Sequence, residues 1–67
     1  MEIADLQKRV LETYGIRVDP EMARYALLRL AQAGNALREL PLIGGNARTG
    51  APVRAVIDPA ALVAASS

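Results

Sequence analysis

Hydrophobic positions fall at helical spacing twice along this chain and then lose it. Ile3, Leu6, Val10 and Tyr14 recur at steps of three and four, with Leu11 beside them, which predicts an amphipathic helix over residues 2–14. Glu2 and Asp5 stand near its positive end and Lys8 and Arg9 further along, an order the macrodipole weakly favours. Gly15 stops the helix, because glycine takes the left-handed conformation of a C′ residue without penalty. A helix of about three turns does not hold alone in water, so this face needs a neighbour.

After a short connection over residues 15–18, Asp19-Pro20 is a strong helix start. The carboxylate accepts a first-turn N–H, and the proline ring loses nothing at N1. Met22, Tyr25, Ala26, Leu30, Ala33, Leu37 and Leu40 form one stripe, while Ala23, Leu27, Leu28, Ala31 and Ala36 widen the apolar surface beyond it. Glu21, Arg24, Gln32, Asn35 and Glu39, flanked by Arg29 and Arg38, fill the polar remainder. The pattern predicts a helix running through Gly34 to residue 40, ended by Pro41, although Gly34 costs about 1 kcal/mol relative to alanine. Ending the helix at Gly34-Asn35 is the other reading. The first helix covers one side of this surface only, so a second apolar face is left for a partner.

From Pro41 the grammar changes, with Pro41, Gly44, Gly45, Gly50, Pro52 and Pro59 close together. Yet Leu42, Ile43, Val53, Val56 and Ile57 are too apolar for a solvated linker. The segment reads as an extended arm that docks on another surface, with residues 53–57 either a short strand or a groove-bound stretch. On that reading, Val53→Asp and Ile57→Asp weaken partner binding and leave the helices intact. Gly44-Gly45-Asn46 reads as a turn needing positive φ, with an anion-binding nest as the sharper alternative. Asp58-Pro59 repeats the helix-start signal, so residues 60–65 add a terminal helical turn.

Composition adds one constraint. The chain has 67 residues, of which 52% are hydrophobic, with Tyr14 and Tyr25 the only aromatics and neither cysteine nor histidine present. A single core is marginal at this size unless a disulfide, a metal or association helps. The missing cysteine and histidine exclude disulfide frameworks, zinc sites and thiol catalysis, which leaves association. Charge is nearly balanced at a formal +1, and the basic residues are spread out and not interleaved with aromatics, so no nucleic-acid stripe is evident. No long apolar run or secretory signal is present, so the expectation is a cytoplasmic protein with no membrane contact.

Candidate chemistry changes little. The only serines are Ser66 and Ser67, and without histidine or cysteine the usual nucleophile and base pairs do not assemble. Asp5 and Glu12 lie about two helical turns apart and read as solvated carboxylates. Arg24, Arg29 and Arg38 read as a solvated strip, with a phosphate or an acidic partner surface as the alternative. A helix-turn-helix DNA reader is disfavoured, because the second helix is mostly alanine and leucine where a recognition helix presents polar and basic groups. No catalytic, cofactor or metal residue is expected.

The order of parts carries a resemblance. Tyr14-Gly15-Ile16-Arg17-Val18-Asp19-Pro20-Glu21, the helix through Leu40, Leu40-Pro41-Leu42 and Ala51-Pro52-Val53-Arg54 resemble the small non-catalytic subunits of amidase-signature enzymes, the GatC-like proteins that include the AtzG-like small subunits. The resemblance covers roughly residues 3–55. It implies a helical hairpin packed on a larger amidase subunit that holds the catalytic residues, with the arm lying over that subunit.

The expectation is thus an all-α chain and a single small domain, with a helical hairpin over residues 1–40 and an extended arm over residues 41–67. Its function would be that of a non-enzymatic accessory subunit of an amidase-type hydrolase complex. The residues expected at the partner are Met22, Tyr25, Leu27, Leu28, Leu30, Leu37, Leu40, Pro41, Leu42, Val53, Arg54 and Ile57. If no such partner exists, the alternative is a self-associating helical module, a homodimeric regulator or antitoxin-like protein, joined through Leu27, Leu28 and Leu30.

Overall fold

The computed structural model describes residues 1–64. The chain runs α1 (Ile3–Tyr14), β1 (Ile16–Arg17), α2 (Pro20–Ala33), a 3-10 turn (Gly34–Ala36), β2 (Leu40–Asn46), β3 (Pro52–Ile57) and α3 (Pro59–Ala64). Three strands in the order β1-β2-β3, all antiparallel, form a sheet. The fold is therefore mixed α and β, which corrects the all-α expectation, and residues 40–57, most of the supposed arm, form a β-hairpin followed by α3.

Both main helices begin as the sequence signals them. Glu2 caps α1, its backbone N–H donating to Asp5 Oδ2 at 3.3 Å. Gly15 closes the helix at φ 69°, with its N–H donating to the Leu11 carbonyl at 2.9 Å. Asp19 caps α2 by accepting from the Met22 N–H at 2.7 Å. At the far end, Gly34 takes φ 55°, ψ −134°, a combination open to glycine. That turn ends α2 at Ala33 and overturns the expected helix to residue 40. Leu37 is already extended at φ −75°, ψ 114°, and Leu40 enters a strand.

The hairpin forms from residues that resemble chain breakers. Leu40 and Leu42 are buried while Pro41 and Ile43 are exposed, the period-2 alternation of a half-covered strand. Pairing runs from Leu40↔Ile57 to Gly45↔Pro52. Asn46 N–H donates to the Ala51 carbonyl at 2.8 Å, so the alternation of an antiparallel ladder puts Pro41 and Pro52 at non-hydrogen-bonded positions. Their missing N–H groups are not needed by the partner strand.

Asn46 also organises the turn. Its Oδ1 accepts from the N–H groups of Arg48 (2.8 Å) and Thr49 (3.0 Å), and its carbonyl accepts from Gly50 N–H at 2.7 Å. Within this turn positive φ falls at Gly50, at 76°, while Gly44 and Gly45 lie inside β2. This corrects the expected Gly44-Gly45-Asn46 turn. Gly44 is required there for space: a Cβ would stand 2.5 Å from the Arg17 carbonyl oxygen and 2.6 Å from Ile16 Cγ2.

One core joins all the elements. Leu6 and Val10 of α1, Ile16 of β1, Val18 in the connection to α2, Ala23 and Ala26 of α2, Leu40 and Leu42 of β2, Ile57 of β3 and Leu62 of α3 are buried together. Side-chain hydrogen bonds among the described residues tie α1 to the rest. Gln7 Nε2 donates to the Val18 carbonyl at 3.0 Å, Arg9 Nη1 donates to the Leu62 carbonyl at 3.3 Å, and Tyr14 Oη accepts from Asp58 N–H at 3.2 Å. α3 opens at Asp58-Pro59 as the repeated signal suggests, with Ala60 N–H donating to Asp58 Oδ1 at 3.0 Å. Ala65, the last residue of that expected turn, lies outside the described residues.

Candidate functional site

The hairpin divides its side chains between two faces. The inner face of β2 and β3 carries Leu40, Leu42 and Ile57, all fully buried against the helices. The outer face carries Pro41 opposite Val56 and Ile43 opposite Arg54. Ile43 and Val56 are large apolar side chains left 51% and 63% exposed. β1 pairs only with Gly45 and Asn46, so it leaves the Pro41 to Ile43 stretch of β2 without a strand neighbour on that side. The N-terminal half of α2 reaches this stretch. Met22, Tyr25, Pro41, Ile43 and Arg54 line one open cleft of about 380 Å³.

Four of those five residues, Met22, Tyr25, Pro41 and Arg54, belong to the set expected at a partner. They come from α2, β2 and β3, and only the folding of the hairpin brings them together. Ile43 is the fifth, missed because residues 41–57 read as an undivided apolar arm. The buried-exposed alternation through Leu40, Pro41, Leu42 and Ile43 is the signal that separates it from its neighbours.

The rest of the expected set divides differently. Leu40, Leu42 and Ile57 are buried in this chain's own core, so they present no side chain to a partner while the fold is intact. Placing Asp at Ile57 therefore attacks the core. Val53 is half-buried on the inner side. Leu37 and Leu30 line a second cleft of about 430 Å³ between the end of α2 and α3, beside Arg38 and Asp58. Leu27 and Leu30 are half-buried on the flank of α2 near Met1 and Val63. Leu28 stands 54% exposed.

Arg54 is the one charged residue among those lining the cleft, with Glu21 beside Met22 in the first turn of α2. The three strands contain Arg17 and Arg54 and no carboxylate. Among the described residues the ion pair found is Lys8–Glu12 on α1, at 3.9 Å between two exposed side chains. Such a pair contributes little to stability, and among the described residues Arg54 has no carboxylate within that reach. No helix among the described residues is long and apolar enough to cross a membrane. Comparison of the chain with family models, curated proteins and solved structures finds no match.

Proposed function

We propose that this chain is a cytoplasmic, non-catalytic accessory module that acts by binding another protein through the outer face of its sheet and the adjoining side of α2. The observation that carries the reading is the convergence of Met22, Tyr25, Pro41, Ile43 and Arg54 on one open cleft, next to the exposed Val56. Contiguous apolar exposure of this kind marks a contact surface, whereas scattered apolar residues do not. The partner that the sequence resemblance nominates is a larger amidase-signature subunit. It would meet the folded sheet, because the stretch expected to lie over it as an arm is closed on the chain's own core.

A second reading rests on the solvent-facing flank of α2, where Leu28 is exposed one turn beyond Tyr25 and outside the lining of the cleft. That flank suits a seam between two copies of the chain. The two readings separate in one experiment. Affinity capture with the tagged chain from its own cells is expected to retain a partner subunit with the wild type and with Leu28→Asp, and to lose it with Ile43→Asp. Capture that survives Ile43→Asp contradicts the sheet-face reading. A wild-type dimer in sedimentation, dissolved by Leu28→Asp, supports the second.

A further inference from the structure

We infer that the cleft of Met22, Tyr25, Pro41, Ile43 and Arg54 receives a carboxylate-bearing apolar segment of a partner protein. The carboxylate meets the Arg54 guanidinium, and an apolar side chain seats against Met22 and Ile43. The inference rests on the protein-binding reading above and names the chemistry of what binds.

The cleft has an apolar floor and one cationic edge. Met22, Pro41 and Ile43 offer hydrocarbon, and Arg54, directly opposite Ile43 in the β2–β3 register, offers five N–H donors in a planar fork. An occupant that covers Ile43 also takes water from Arg54. A guanidinium that loses water without gaining an acceptor opposes binding, whereas a carboxylate restores the lost hydrogen bonds in bidentate form. This chain does not supply that acceptor among its described residues: the sheet has no carboxylate, and no ion pair reaches Arg54. Arg17, paired to Gly45, lines a separate cleft against Gln7, Lys8 and Leu11 of α1, and Arg48 sits in the hairpin turn. Glu21 stands beside Met22 in the first turn of α2, so the positive charge that favours an acidic group is that of Arg54, the one charged residue in the cleft's lining.

The same charges argue against two other occupants. A second copy docked face to face would set the arginine-bearing sheet against its own image, bringing like charges together across an apolar contact. A nucleic-acid strand would satisfy the arginines, but it would leave Met22, Pro41 and Ile43 uncovered, with Tyr25 the one stacking ring at the site.

The test is selection of a random peptide library displayed on phage against the intact wild-type chain, followed by capture of the selected peptides on Ile43→Asp and Arg54→Gln. Both replaced side chains are exposed, so both variants are expected to fold, which circular dichroism checks. Enrichment of peptides with Asp or Glu near an apolar anchor is expected. Their capture should weaken about ten-fold or more on Arg54→Gln, disappear on Ile43→Asp and decline with added salt. Arg54→Glu gives an independent check, since it should turn the preference toward basic peptides. Enrichment of uncharged peptides that need Ile43 but ignore Arg54 overturns the carboxylate inference and leaves the protein-binding reading standing. Absence of any Ile43-dependent enrichment overturns both. A wild-type dimer dissolved by Ile43→Asp assigns the face to a second copy, and displacement of selected peptides by a single-stranded oligonucleotide assigns it to nucleic acid. Either outcome overturns the inference.

Discussion

Leu42→Ala is expected to lower the melting temperature of the isolated chain by tens of degrees, leaving little folded protein at 37 °C. Leu42 is fully buried on the inner face of β2, in the same cluster as Leu6, Val10 and Leu40. Truncating a buried leucine costs about 2–5 kcal/mol, because the cavity left behind closes only in part. A chain of this length has roughly 3–10 kcal/mol of stability to lose, at about 0.05–0.15 kcal/mol per residue. For a domain this small, each kcal/mol moves the midpoint by roughly 4–8 °C. Calorimetry of wild type and variant reads the difference directly. If residues 41–57 were an arm waiting for a partner, the same substitution would leave the melt of the free chain where it was.

Gly44→Ala is the second large effect, and it comes from excess volume. Its Cβ would lie 2.5 Å from the Arg17 carbonyl oxygen and 2.6 Å from Ile16 Cγ2. Because the first of these atoms is backbone, relief requires β1 to move away from β2. Overpacking of this kind costs about 1–3 kcal/mol and at times more, and here it strikes the Ile16↔Asn46 and Arg17↔Gly45 pairs. The adjacent Gly45→Ala is the control, since its Cβ would find nothing nearer than the Gly50 carbonyl oxygen at 3.7 Å. Urea midpoints are expected to fall for Gly44→Ala and to change little for Gly45→Ala. Equal midpoints contradict the pairing of β1 with β2. In a loose arm, Gly44→Ala would be neutral or slightly stabilising, by reducing the freedom of the unfolded chain.

The helices were legible because their signals are local. The spacing of Ile3, Leu6, Val10 and Tyr14, the stop at Gly15 and the Asp-Pro starts at 19 and 58 each depend on neighbours within a turn or two. The end of α2 was not legible, because Leu37 and Leu40 continue the helical register while also beginning extended chain. Only the conformation of Gly34 decides between these. β1 was hidden for a different reason: two residues in a connection carry no period, and their pairing depends on a strand nearly thirty positions later. The hairpin was hidden by its prolines and glycines. Pro41 and Pro52 break a strand only where their missing N–H faces a partner, and that direction follows from register, which composition does not reveal.

The candidate site was legible in part for the same reasons. Tyr25 and Met22 stood out as residues on a face too broad for one partner helix, and Pro41 and Arg54 as parts of an apolar segment with no evident place in an all-α chain. Their convergence depends on the β2–β3 register, and the separation of Ile43 from Leu42 depends on recognising a strand. Burial then splits what the sequence treats alike. Leu40, Leu42 and Ile57 hold the domain together, whereas Ile43 and Val56, of similar type and one step away, face outward.

Both the fold and the proposed contact surface depend on β2 and β3 closing over the helices without a partner. Amide hydrogen exchange on the isolated chain, followed by NMR, tests this most directly. The N–H groups of Leu42, Gly44, Ala55 and Ile57, which the ladder directs at the opposite strand, are expected to be protected to the same order as that of Val10 in α1. Rapid exchange of those four amides while Val10 stays protected would contradict the account and return residues 41–57 to the role of an arm.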